Sequence, residues 1–146
     1  MKPVVTIKKA NENNFFAVCS LLAEEHLPTA DLNPLLENFF VIIDDNGITG
    51  IIGMDKYGEY GLLRSAIVKK EYRNKGIATV LVNKLIEHAK QQQVSSLYLI
   101  TNTAEKYFQH RGFIKITRDE VPVAVLQSLE FNGLCPASST IMQRRL

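Results

Sequence analysis

The sequence predicts an α/β fold (in the α+β sense), a mixed, mostly antiparallel sheet of six to seven strands with helices on both faces. Three observations predict it. Between residues 39 and 68, three apolar, β-branched runs follow one another with turn signals between them, the pattern of an antiparallel meander. At Gly76 the apolar period changes, and Ile77, Leu81, Leu85 and Ala89 lie four residues apart, as on one face of a helix. Beyond that helix, strand-like and helix-like runs alternate, which requires a parallel step in the sheet.

Val4 to Ile7 reads as the first strand. Asn11 to His26 carries Phe15, Val18, Cys19, Leu22 and Ala23 at helical spacing, with Asn11 or Asn13 as its cap. The stretch HLPTADLNP breaks that helix, and Asp31 or Asn33 is placed to cap a short second one. Phe39 to Ile43 is a strand, DDNG (44–47) a hairpin turn, Ile48 to Met54 a strand, DKYGE (55–59) a second turn, and Tyr60 to Val68 a longer strand. The helix from Gly76 runs about four turns until QQQVSS ends it, with Asn83, Lys84, Glu87, His88 and Lys90 mostly on its polar side. Leu97 to Thr101 is a strand, Thr103 to His110 a short helix, Phe113 to Thr117 a strand, Val123 to Leu129 a helix and Thr140 to Arg144 a last strand. A helix joins the strand ending at Val68 to the one starting at Leu97, so these two run parallel, and their C-terminal ends make a ligand site.

A chain of 146 residues is expected to form one domain, 1–146, and 46% apolar residues suffice for its core. The net charge of +2 is too small to select nucleic acid, and the basic loop lacks the interleaved aromatics of a single-strand binder. The N-terminus lacks a secretory apolar stretch, and the longest clear apolar run, Phe39 to Ile43, is far short of a membrane span. Cys19 and Cys135 are far apart and no C-x-x-C occurs, which argues against a disulfide framework or a zinc site. A cytoplasmic protein with no metal is the expectation.

The stretch VKKEYRNKGIATVL (68–81) places Lys69, Lys70, Arg73 and Lys75 ahead of Gly76, where strand turns into helix. The first N–H groups of a helix have no partner within it, and its dipole adds positive charge there. A diphosphate accepts such bonds. Gly76 puts no side chain in its path, Ala78 is small, and Arg73 and Lys75 offer charge-assisted bonds. The competing reading is a solvated basic loop with a capping glycine. The G-x-G-x-x-G and G-x-x-x-x-G-K-S/T fingerprints are both absent.

YRNKGIA, following SAIVKK, resembles motif A (Q/R-x-x-G-x-G/A) of the GNAT superfamily of acyltransferases, and the strand order is similar to the GNAT order over nearly the whole chain. AEKYFQHRGF (104–113) resembles that family's helix followed by Gly-Phe. HLPTADL, LLRSAIV and LCPASSTIM resemble stand-alone acetyltransferases of arsenic-resistance gene clusters, themselves similar to the acetyltransferase domain of N-acetylglutamate synthases.

The resemblance implies acetyl-CoA as co-substrate, held where the fourth and fifth strands splay apart. Ile67 and Val68 would pair with its pantetheine, and Arg73, Asn74, Lys75, Gly76, Ile77, Ala78 and Thr79 would surround its diphosphate. Asn102 and Phe108 would contact it further along. The Val68 N–H would face the oxyanion formed when an amine attacks the thioester directly, in a ternary complex. The acceptor implied is a small-molecule amine, an amino acid or an anionic analogue.

The tyrosine that many GNAT enzymes place four residues before the glycine of the Gly-Phe pair is Phe108 here. Tyr107 is the adjacent candidate acid, or else it packs or caps; a solvent proton is the third choice. The candidate base is Glu59, which with Tyr60 starts the central strand and would act through a water, or a residue among Glu25, His26 and Asp31 of the first helix and the loop that covers the acceptor in this fold. His26 has a suitable ordinary pKa, but a histidine at a helix end also simply meets the dipole. Arg64 is a lone charge in the apolar strand YGLLRSAIV, on one face with Ala66 and Val68 by strand periodicity. Either it holds an acidic acceptor or it forms an ion pair with Glu59, Asp31 or Glu105. His88 belongs to the polar helix face, His110 and Arg111 to a helix end, and Cys19 to the core. Without a hydroxyl at Phe108, a non-catalytic acetyl-CoA-binding sensor or partner module is the alternative function. A homodimer is the expected assembly if the tail strand joins a partner's sheet.

Overall fold

In the computed structural model, residues 6–74, 76–128 and 139–146 are described. Seven strands, β1 (Ile7–Lys9), β2 (Phe39–Asp44), β3 (Gly47–Tyr57), β4 (Tyr60–Val68), β5 (Ser96–Thr101), β6 (Ile114–Ile116) and β7 (Thr140–Arg145), are ordered β1-β2-β3-β4-β5-β7-β6. Among the described residues four α-helices accompany them: α1 (Phe15–Glu24), α2 (Ile77–Gln91), α3 (Glu105–Gln109) and α4 (Val123–Leu126). The chain divides into two compact units, Met1–Met54 with Ser65–His88 and Asp55–Arg64 with Ala89–Leu146.

In the first unit β2 pairs antiparallel with β1 and β3, and the Asp44–Gly47 hairpin is fixed by the Asn46 N–H donating to Asp44 Oδ1 at 2.8 Å. The first strand lies later than expected, at Ile7–Lys9, with Val4 and Val5 outside the described residues. Asn11 accepts from the Asn13 N–H and caps a 3-10 turn that leads into α1. Val18, Leu21 and Leu22 of α1 are buried with Phe39, Val41, Ile51 and Ile67. The helix ends in a Schellman motif: the Leu27 N–H donates to the Leu22 carbonyl, the His26 N–H to Ala23, and His26 is left-handed at φ 59°.

The second helix expected after Pro28 is absent. The Asn33 side chain captures the Leu35 N–H at 2.9 Å, and Leu36 and Asn38 are left-handed at φ 50° and 61°. An Asx turn and two αL residues cannot propagate a helix. The expected DKYGE turn is also shorter than its sequence suggests: β3 continues through Tyr57, and Gly58 at φ 64° supplies the first turn position of a two-residue hairpin.

On α2, Ile77, Leu81, Val82, Leu85, Ile86 and Ala89 are all buried, as the four-residue spacing predicts. The end of β4 departs from regular pleating. Ser65 has φ 59°, and beyond it Ala66 is exposed while Arg64 and Val68 are buried. Arg64, Ala66 and Val68 therefore do not share a face, because the left-handed residue resets the alternation.

In the second unit the start of β4 pairs parallel with β5, from Tyr60↔Ser96 to Leu62↔Tyr98. β7 pairs antiparallel with β5 on one side and with β6 on the other. Among the described residues the tail strand thus lies between two strands of this chain's own sheet, paired with β5 along its whole length and with β6 over Ile141–Gln143. Leu62, Tyr98, Ile116, Val121 and Val125 form the core here. The expected helix at 123–129 is seen over Val123–Leu126, and Leu129 lies outside the described residues.

Candidate active site

The loop between β4 and α2 is anchored before it turns. The Lys69 N–H donates to the carbonyl of buried Thr49 at 2.8 Å, and Lys70–Tyr72 make one 3-10 turn. Asn74 and Gly76 are left-handed, at φ 66° and 76°. Left-handed residues at a loop-to-helix junction turn the backbone sharply, and the first amides of α2 have no partner within the helix. A Cβ at Gly76 would meet no heavy atom within 4 Å, so the protein leaves this corner open. The Gly76 carbonyl accepts the first helical bond, from the Val80 N–H at 3.2 Å. Ile77 is buried, Ala78 exposed and Thr79 half-buried, so the small residue faces outward on the first turn. Lys75 lies outside the described residues.

Arg73 is engaged differently from expectation. Its Nε–H donates to the Val68 carbonyl at 2.8 Å, and its Nη2 to Glu25 Oε1 at 3.1 Å. The guanidinium thus bridges the end of β4 and the end of α1, a link that sequence spacing did not reveal. Ile67 and Val68 are both buried. His26 is exposed, and Asp31 is half-buried in the turn closed by the Leu32 N–H on Thr29.

In the second unit Arg64 is 3% exposed and its Nη1 donates to Asp55 Oδ2 at 2.9 Å. Asp55 is thus an ion-pair partner of Arg64 that the sequence reading, which named Glu59, Asp31 and Glu105, did not include. Glu59 accepts from Ser95 Oγ at 3.2 Å, and Glu105 faces Lys115 at 4.0 Å. Asp55 escaped notice because it was assigned to a turn; on the extended β3 it is a hairpin neighbour of Arg64.

Phe108 is 7% exposed and packs edge-on against Phe113, with ring centroids 5.5 Å apart. Tyr107 is half-buried, with the Arg111 guanidinium 5.5 Å from its ring centre. Arg111 Nε is buried and has no hydrogen-bond partner among the described residues, and the face of Tyr107 lies against this guanidinium. Asn102 is exposed and its Oδ1 accepts from Ser139 Oγ. Among the described residues no group of three or more His, Cys, Asp or Glu side chains could hold a metal, and no helix is long and apolar enough to cross a membrane.

The description of the acetyltransferase (GNAT) domain matches residues 36–115, more than half of the chain. The chain belongs to the GNAT acetyltransferase family. An amino-acid acetyltransferase from Photorhabdus laumondii is 26% identical over 132 residues, covering 84% of this chain but 30% of its own length. The fold is shared with the N-acetylglutamate synthase of Neisseria gonorrhoeae complexed with coenzyme A and N-acetyl-glutamate, at a TM-score of 0.80 and 21% identity, over 100% of this chain and 36% of that one. It is shared equally with Rv2747 from Mycobacterium tuberculosis, complexed with CoA, at a TM-score of 0.79 and 18% identity over 99% of both chains. The GNAT chain described here thus spans under a third of its curated relative and the full length of the mycobacterial structure.

Two other titratable groups in this GNAT chain are structural. Burial pushes the Cys19 thiol up, which removes it as a nucleophile at neutral pH. His88 is not simply on a solvated face: Nε2 lies 2.8 Å from Asn38 Oδ1 and the ring stands edge-on to Phe40. Burial, then Lys9 and Lys84, hold its pKa below the ordinary histidine value.

Proposed function

We propose that this chain is an acetyl-CoA-dependent N-acetyltransferase that acetylates the amine of a small molecule, an amino acid or an anionic analogue, in a ternary complex. The observation that carries this reading is the open corner at Gly76 in a GNAT chain: two left-handed residues and a bare α-carbon at the start of a 15-residue helix. Those residues fit a diphosphate by shape and by dipole. Asn74 to Thr79 hold it, Ile67 and Val68 run along the pantetheine, and Asn102 and Phe108 are assigned as further donor contacts.

The acetyl thioester supplies the electrophilic carbonyl. The Val68 N–H stabilises the developing oxyanion as the amine nitrogen bonds to carbon. The C–S bond breaks, the leaving thiolate takes a proton, and the ammonium gives one to water. Tyr107 is the phenol assigned to the thiolate proton. Glu59 is the carboxylate assigned to receive the ammonium proton through that water. Arg64, His26 and Asp31 are assigned to acceptor recognition, with the Arg64 guanidinium meeting a carboxylate or similar anion. The setting is the cytoplasm, where the acetyl donor is made.

The test is incubation with acetyl-CoA and a library of amino acids and their anionic analogues, following free thiol. Release above the hydrolysis blank for one amine is expected; none for any amine sinks the enzymatic reading. The non-catalytic module keeps one observation in its favour, a buried Phe108 with no hydroxyl to give. Tight CoA binding without turnover would select it.

A further inference from the structure

The Arg73 contacts carry an inference beyond that reading, though resting on it. Glu25 is the C-terminal cap residue of α1 and follows Glu24. A helix C-terminus favours cations, so two adjacent carboxylates there run against ordinary helix chemistry. Glu25 is held at that place by the Schellman bonds of His26 and Leu27, and the cation that faces it comes from the donor loop. Arg73 in turn cannot swing away: its Nε–H is on the Val68 carbonyl, and the same peptide is fixed from its other side by the Lys69 N–H on Thr49. One edge of the guanidinium is therefore tied to protein backbone. The Nη edge is turned to an anion, and in the free protein that anion is Glu25. The pair is partly open to solvent, its side chains 44% and 36% exposed, so a phosphate of higher charge can take the contact without opening the core.

We propose that Glu25 is a positioning residue for donor binding, an internal counter-anion that keeps Arg73 aligned at the end of β4 and yields it to a phosphate of the donor. A local rule of helix chemistry is broken at this cap, and such breaks concentrate at functional places. The pair also joins two segments with different expected tasks, the loop under the diphosphate and the cap before His26.

The sign of the effect sets this role apart from a structural one. A residue that merely braces the fold weakens binding when removed, whereas a competing anion strengthens it. Calorimetric titration with CoA should show Glu25→Gln binding about two- to fivefold tighter than wild type, the range for an exposed ion pair. In an Arg73→Met background the same change should have no effect. Unchanged or weaker binding by Glu25→Gln overturns the assignment, as does equal tightening in the Arg73→Met background, which would mark a general charge effect. Failure of the wild-type chain to bind CoA is a different result: it removes the underlying enzymatic reading and this role with it.

Discussion

Gly76→Ala separates the free protein's needs from the ligand's. The added Cβ meets nothing within 4 Å, so no packing cost arises. The φ of 76° does carry a cost, because a left-handed L-residue is disfavoured by about 1–2 kcal/mol. For a domain of this size that lowers Tm by about 3–8 °C. Donor binding should suffer far more. A methyl group on the approach to the amides displaces at least one charge-assisted hydrogen bond, worth about 1.5–3 kcal/mol, so CoA affinity should fall by about 10- to 150-fold. Gly76→Glu adds a like charge beside the diphosphate and should bind more weakly still. Acetyl-pantetheine, which lacks the diphosphate, is the control and should bind all three proteins alike. The assays are thermal melts without ligand and calorimetric titration with CoA and with acetyl-pantetheine. If Gly76→Ala shows the drop in Tm but holds CoA within twofold of wild type, the diphosphate does not rest on this corner.

Arg64→Ala strands the Asp55 carboxylate and should cost about 3 kcal/mol in urea unfolding, the low end for a buried pair since Asp55 is partly exposed. Arg64→Lys keeps the charge and loses the fork; a raised acceptor KM at unchanged kcat is expected, and a loss of stability alone would leave only the structural pair. His88 has its folded pKa below the unfolded value near 6.5, so the unfolded chain binds more protons as pH drops, and stability present above pH 6.5 declines below it. His88→Gln should flatten that part of the profile, measured by urea unfolding at pH 7.5 and 5.0; an identical slope in both proteins would show that His88 does not contribute it. Cys19, half-buried with a raised pKa, should resist iodoacetamide in the native protein at pH 7.5 and react on unfolding, as read by mass spectrometry of its peptide.

Much of the fold was legible because it rests on short-range rules. The spacing of Ile77, Leu81, Leu85 and Ala89 gave α2, β-branched runs gave β2 and β4, and the helix between β4 and β5 required their parallel pairing. Motif A, read with its strand and helix, gave the family. The misreadings fall where a local signal has two outcomes. Asp31 and Asn33 cap helices or close Asx turns with the same side-chain bond, and which follows depends on the left-handed Leu36 and Asn38 downstream. Periodicity put Arg64, Ala66 and Val68 on one face, and a single positive φ at Ser65 undid it.

By itself the sequence determined the period of each element, the open glycine at the mouth of α2 and the identity of the one charge inside β4. Tertiary structure alone decided which groups meet: Asp55 with Arg64, Glu25 with Arg73, and β7 between β5 and β6. The reason is physical. Helical and extended periods are set by backbone sterics among near neighbours, whereas the partner of a long charged side chain depends on where distant segments come to rest, and no spacing along the chain encodes that distance.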